Sequence, residues 1–172
     1  MEVFEAIKKR RSVRKFDQNK KITNEQIEKL LEAARWAPSA GNLQSRYFIV
    51  VHDQKAKNKL ALASYGQIWI AQAPVVIVAC ADLKKAGLYG KRGRELYAIQ
   101  DASIACQNIW LEATEMGLGT VWVGAFSEKL VAKILKLEPH LHPIAMMPIG
   151  YPVKIPSSTS RRPIKEMSKL IL

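Results

Sequence analysis

Arg10, Arg11, Ser12, Arg14 and Lys15 put four cationic side chains and a hydroxyl into six consecutive residues. Guanidinium forks and a hydroxyl suit phosphate oxygens. Residues 8 to 21 hold eight Lys or Arg against one acid, Asp17. Arg10 and Arg14, four apart, could close on one anion from two sides, with Ser12 donating to it. The same cluster also fits a solvated basic loop at a helix C-terminus, where cations are favoured without a ligand.

Two other segments offer chemistry. Residues 38–44, Pro-Ser-Ala-Gly-Asn-Leu-Gln, are polar and uncharged. The amides of Asn42 and Gln44 both donate and accept, which suits a heterocycle with alternating carbonyls and ring nitrogens. They also suit a plain helix-to-strand turn. Residues 117–126, Gly-Leu-Gly-Thr-Val-Trp-Val-Gly-Ala-Phe, let backbone approach a flat ligand closely. Taken alone, Trp122 reads as ordinary core. The chain has no G-x-G-x-x-G after a strand, no phosphate-binding G-x-x-x-x-G-K-[ST] and no G-x-S-x-G elbow. Cys80 and Cys106 sit in apolar runs and read as buried free thiols. His140 and His142 have no third ligand in sight, so no metal site is expected. A reaction here would need a bound cofactor to carry it.

Several elements must position these residues. Residues 2–9 form a short helix with Val3, Phe4 and Ile7 on one side, ahead of the basic loop. Thr23 with Gln26 matches a capping box, and Ile27, Leu30, Leu31 and Ala34 give the next helix its apolar stripe. Residues 47–51, 74–80, 120–123 and 142–149 read as strands. Residues 53–64 and the segment from Ser127 to Leu135 read as helices. Residues 82–94 read as a charged surface excursion. Residues 95–116 form the longest helix, apolar on most sides, as expected of a central or interface helix. Residues 151–172 carry little core signal and read as a tail that reaches a partner subunit. Without strict βαβ alternation, the class is α+β: a central mixed, mainly antiparallel sheet flanked by helices.

The length of 172 residues fits a single domain, 1–172. No run of 18 apolar residues suggests a membrane span, and the first nine residues lack a signal-peptide core. A cytoplasmic location is the expectation. The net charge of +12 raises the alternative of a basic nucleic-acid-binding domain, with salt-sensitive binding. The basic groups at 8–21, 84–94 and 154–169 lack interleaved aromatics for base stacking, so no nucleic acid is expected.

In combination, the segments resemble the nitroreductase family of flavin enzymes. The R-R-S-V-R-K-F loop looks like its phosphate signature and A-P-S-A-G-N-L-Q like its second signature. Gln67-Ile68-Trp69-Ile70 leading to residues 73–78, the long helix with Asp101, the G-L-G-T-V-W-V-G-A-F segment, residues 148–152 and a late Arg161-Arg162-Pro163 follow in order. The resemblance implies FMN at a homodimer interface. Arg10, Ser12 and Arg14 would hold its phosphate and ribityl region, with Arg11 contributing. Pro38, Ser39, Ala40 and Asn42 would approach the isoalloxazine ring from the other subunit. Gln67 would meet its pyrimidine side, and Trp122, Val123 and Gly124 would lie along it. Arg161, or Arg162 in the alternative register, would return to the phosphate. Gly124 stands where larger members carry Glu. The implied reaction is ping-pong: NADH or NADPH gives hydride to flavin N5, and a nitro, quinone or other small-molecule acceptor then takes the electrons. Lys91, Arg92 and Arg94 would border the opening and contact the nicotinamide cofactor. A flavin-binding or flavin-sensing protein without efficient turnover is the alternative.

Overall fold

β-Branched alternation builds the centre of the molecule. The computed structural model describes residues 2–171, and in it the run Val75–Asp82 (β2) is buried along its whole length. Val75, Ile77 and Ala79 face one core, while Val76, Val78 and Cys80 face the other. This is the period-2 pattern of a strand covered on both faces. β2 pairs antiparallel with Arg46–Val51 (β1) on one side and Leu141–Gly150 (β4) on the other. The two-residue Gly119–Thr120 (β3) closes the order β1-β2-β4-β3. All three ladders are antiparallel. A parallel bridge from Ser12 to Thr120 extends the edge, so the α+β class with a mixed, mainly antiparallel sheet holds.

Helices cover both faces. Asn24–Arg35 (α2) and Ala98–Glu115 (α7) pack Leu30, Ala34, Ile109 and Ala113 against one face. Gln54–Ala63 (α3) and Glu128–Leu135 (α8) pack Leu60 and Val131 against the other. The capping box forms as read: Gln26 N donates to Thr23 Oγ1 at 3.2 Å and Thr23 N to Gln26 Oε1 at 3.0 Å. Ala98, Ala102, Ala105 and Ala113 let α7 lie close to its neighbours, while Ile99 and Ile104 remain 43% exposed. In the first helix, Val3–Lys9 (α1), only Ala6 is buried. Val3, Phe4 and Ile7 therefore form an outward stripe, not a core face.

Three segments differ from the sequence reading. Trp69–Gln72 is a short helix (α4). The excursion at 82–94 is wound: Leu83–Ala86 (α5), a 3-10 turn, Gly90–Arg92 (α6), then a π turn over Gly93–Tyr97 that leads into α7. Asp82 starts it by accepting from Lys84 N and Lys85 N. The strand expected at 120–123 stops at Thr120, and Val123 only bridges Met146. The tail leaves the body at Val153, whose N donates to Lys15 O. Beyond it, the described residues are exposed.

Candidate functional site

The basic segment runs along the β3 edge of the sheet and is joined to it by a single parallel bridge from Ser12 to Thr120. Val13 N donates to Thr120 O at 2.9 Å, and alternation buries Val13 while leaving Ser12 half-buried and Arg14 exposed. Gly119 allows this close approach, because a Cβ there would meet the Val13 side chain at 2.7 Å.

Arg10 and Arg14 stack on different indoles. Arg10 lies 4.4 Å over Trp110 and Arg14 5.9 Å over Trp69. Arg10 stands among other cations that repel it. Burial holds its guanidinium below its ordinary value, and the charges of Arg161 and then Arg11 push it the same way. Arg161, from the tail, therefore stands close enough for its charge to be felt at Arg10. Arg11 turns back along α1, donating to Lys8 O and Arg10 O. Among the described residues no carboxylate forms an ion pair with Arg10, Arg11, Arg14, Arg161 or Arg162.

Unpartnered polar atoms cluster in the same place. Among the described residues, Arg11 Nε, Trp69 Nε1 and Thr120 Oγ1 are buried without a hydrogen-bond partner. All three adjoin residues 11–14, since Trp69 packs with Val13 and Thr120 bridges Ser12. Such groups are costly unless something completes them. A like-charged cluster beside orphaned donors suits an anionic, hydrogen-bonding ligand, and the phosphate and polyol of FMN have that chemistry.

The second group of residues lies elsewhere in the protomer. Pro38, Ser39, Ala40 and Asn42 follow α2 in a loop with Gly41, Asn42 and Gln44 at φ of 54°, 55° and 50°. Ser39 Oγ accepts from Gln44 N at 3.0 Å, and Ala40 N donates to Asp101 Oδ1 at 3.0 Å. Asn42 is exposed. None of these residues is hydrogen-bonded to the basic strand among the described contacts. The third group sits beside α4. Gln67 Nε2 donates to Ala125 O at 2.9 Å, joining it to the 122–125 segment. Trp122 is 37% exposed and Gly124 is open, while Val123 is buried. Trp122 is therefore not a core residue. Lys91, Arg92 and Arg94 are exposed or half-exposed on the wound excursion, where Arg92 Nε donates to Tyr97 Oη at 3.0 Å. A cleft of about 750 Å³ lined by Gln18, Lys21, His52 and Lys57 involves none of these residues.

Sequence reasoning quoted Trp69, Thr120 and Asp101 only within the family's motifs, without a role, and it missed Trp110 and Arg46. One signal was available for Asp101: it is the only charged residue from 98 to 111, and a charge on a buried helix requires partners.

The nitroreductase family model matches residues 7–72 and 63–151. A relative from Methanothermobacter thermautotrophicus is 36% identical over 163 residues, covering 92% of this chain and 81% of the relative. An FMN reductase [NAD(P)H] from Bacillus subtilis is 31% identical, covering 94% of this chain and 70% of its own. Among solved structures, a nitroreductase family protein from Clostridium difficile 630 superposes with a TM-score of 0.87 at 34% identity, covering 98% of both chains. The NADPH:FMN oxidoreductase of Vibrio harveyi, in complex with NAD+, gives 0.90 at 28% identity, covering 98% of this chain and 76% of that one. With sequence and fold matched over nearly the whole length, the chain belongs to the nitroreductase family.

Proposed function

We propose that this protein is an FMN-dependent oxidoreductase that takes electrons from NAD(P)H and delivers them to a small oxidised acceptor, a nitro compound or a quinone. One observation carries the reading: among the described residues, Arg10, Arg11 and Arg161 have no carboxylate ion-pair partner and lie beside three unpartnered buried polar atoms. Bound FMN would supply the redox chemistry, accepting hydride from NAD(P)H and passing electrons to the acceptor in ping-pong order.

The chain's own residues bind and orient. Arg10, Ser12, Arg14 and Arg161 hold the phosphate and ribityl region, with Arg11 braced against α1 behind them. Gln67 meets the pyrimidine side of the ring, and Trp122, Val123 and Gly124 lie along it. Pro38, Ser39, Ala40 and Asn42 approach from a second copy of the chain. Within one protomer this loop is tied to Asp101 in the first half of α7, whereas the basic segment meets Trp110 further along the same helix, and that separation supports a homodimeric site. The outward stripe of α1, the exposed Ile99 and Ile104 and the apolar tail residues Ile155, Ile164 and Met167 supply surface that such a dimer would cover. A positive field also favours the anionic reduced ring and an anionic electron donor. Lys91, Arg92 and Arg94 sit where they could meet that donor.

Absorbance and steady-state kinetics test this. The purified or FMN-reconstituted protein is expected to show flavin bands and to oxidise NADH or NADPH with a quinone or nitroarene, giving parallel double-reciprocal lines. Failure to take up FMN overturns the assignment. Uptake without turnover leaves only a flavin-binding protein.

A further inference from the structure

We propose that Arg46 and Asp101 are positioning residues that set the shape of the flavin-facing loop 38–44. The proposal rests on the reading above that this loop meets the isoalloxazine ring.

Both groups are charged and buried, at 8% and 2% exposure, yet among the described residues they form no ion pair with each other. Their hydrogen bonds go to the loop and to the residues that flank it on either side. The Arg46 guanidinium donates to three carbonyls on its incoming limb: Arg35 at 3.1 Å, Ala37 at 2.8 Å and Pro38 at 3.3 Å. The Asp101 carboxylate accepts from the other side: Ala40 N at 3.0 Å, Ser45 N at 3.4 Å and Ser45 Oγ at 2.6 Å. A buried cation thus holds carbonyls and a buried anion holds amides of one short segment. Burial depresses the Arg46 guanidinium while the Asp101 charge sustains it.

Between these anchors the backbone takes an unfavourable path. Asn42 and Gln44 are non-glycine residues at positive φ, a state that persists where surroundings over-determine it. Tyr89, from the wound excursion, closes on Gly41 so tightly that a Cβ there would strike its hydroxyl. The loop is therefore a rigid presenting surface, and the pair under it controls where Ser39 and Asn42 stand.

The test uses the FMN-loaded protein. Asp101→Asn keeps the volume and one acceptor but turns a donor toward the Ser45 donors. It is expected to keep a cooperative thermal melt and to weaken FMN binding about tenfold or more. It should also shift the visible spectrum and reduction potential of the flavin that remains bound. Ser45→Ala, which removes a single contact, should shift both readouts in the same direction by less, and it decides the matter if Asp101→Asn does not fold. A folded variant with wild-type FMN affinity, spectrum and potential overturns the positioning role. Wild-type protein that takes up no FMN overturns the functional reading instead.

Discussion

A guanidinium stacked on an indole gains dispersion and quadrupole attraction, but its charge is not neutralised. Arg10 over Trp110 is in that position, with Arg161 and Arg11 as cationic company. A phosphate would relieve the repulsion and accept charge-assisted hydrogen bonds. Arg10→Ala and Arg161→Ala should each weaken FMN binding by about 1.5–3 kcal/mol. In the proposed site both would meet one phosphate, so the effect of the double variant should depart from the sum of the two. Titrating apo-protein with FMN by fluorescence quenching checks this; unchanged affinity in both single variants would put the phosphate elsewhere. The cysteines give a residue-scale test of the core. Burial pushes the Cys80 and Cys106 thiols up to about 12. In the unfolded chain they ionise from about pH 8.5. A raised folded value means stability is full below the unfolded value and is lost as pH rises toward about 12. Native protein should thus resist thiol reagents at pH 8. Its urea midpoint should fall above pH 9, and Cys106→Ala should flatten that pH dependence. Labelling of the native state at the unfolded rate would refute the burial. The basic cluster, the amide loop and the thiols were legible as residue types in context. Asp101 was legible as part of the family's pattern on the long helix but without a role, because the groups it grips lie 61 and 56 residues away in the chain.

Elements with strong local signals matched the sequence reading. The capping box at Thr23 and the β-branched run of β2 carry their instructions within a few residues. The excursion after β2 did not, because Gly87, Gly90 and Gly93 lower helix propensity. It winds through tertiary packing: Gly93 lies against Ala86 O and Tyr89, where a side chain would not fit. Likewise β3 is only two residues long, and the basic segment meets its outer edge through one bridge between residues 12 and 120 that no local pattern encodes. That pairing makes Gly119 a lever on the site. Gly119→Ala would drive a methyl into Val13, contacted at 2.7 Å. Overpacking of this kind costs about 1–3 kcal/mol. The relief available is an outward shift of Val13, which moves Ser12 and Arg14 with it. The variant should lower Tm and weaken FMN binding together. A lowered Tm with unaltered FMN affinity would separate the strand from the cofactor.

At the scale of the whole molecule, the tail has no fold of its own in the isolated chain. Residues 153–171 are exposed, and Val153, Ile155, Ile164, Met167, Leu170 and Ile171 among them are 63–84% exposed. That much apolar surface on an extended arm is unfavourable in water, at about 25 cal/mol per Å², unless another surface receives it. Yet the arm carries Arg161, whose charge reaches Arg10. A chain ending after Pro152 should therefore keep the body intact, because the described part of the tail contributes no buried residue. It should lose self-association, since the arm's apolar side chains are part of what a second copy would cover. It should also hold FMN less tightly, because in the proposed site one phosphate ligand and the subunit supplying residues 38–42 would be lost together. Light scattering, flavin absorbance and far-UV circular dichroism on the truncated protein separate these effects. A folded, dimeric, fully flavinated truncation would show that the arm serves neither the interface nor the phosphate. A folded monomer that fills with FMN at high flavin concentration would show that the phosphate strand alone can bind it and that the arm acts through the dimer.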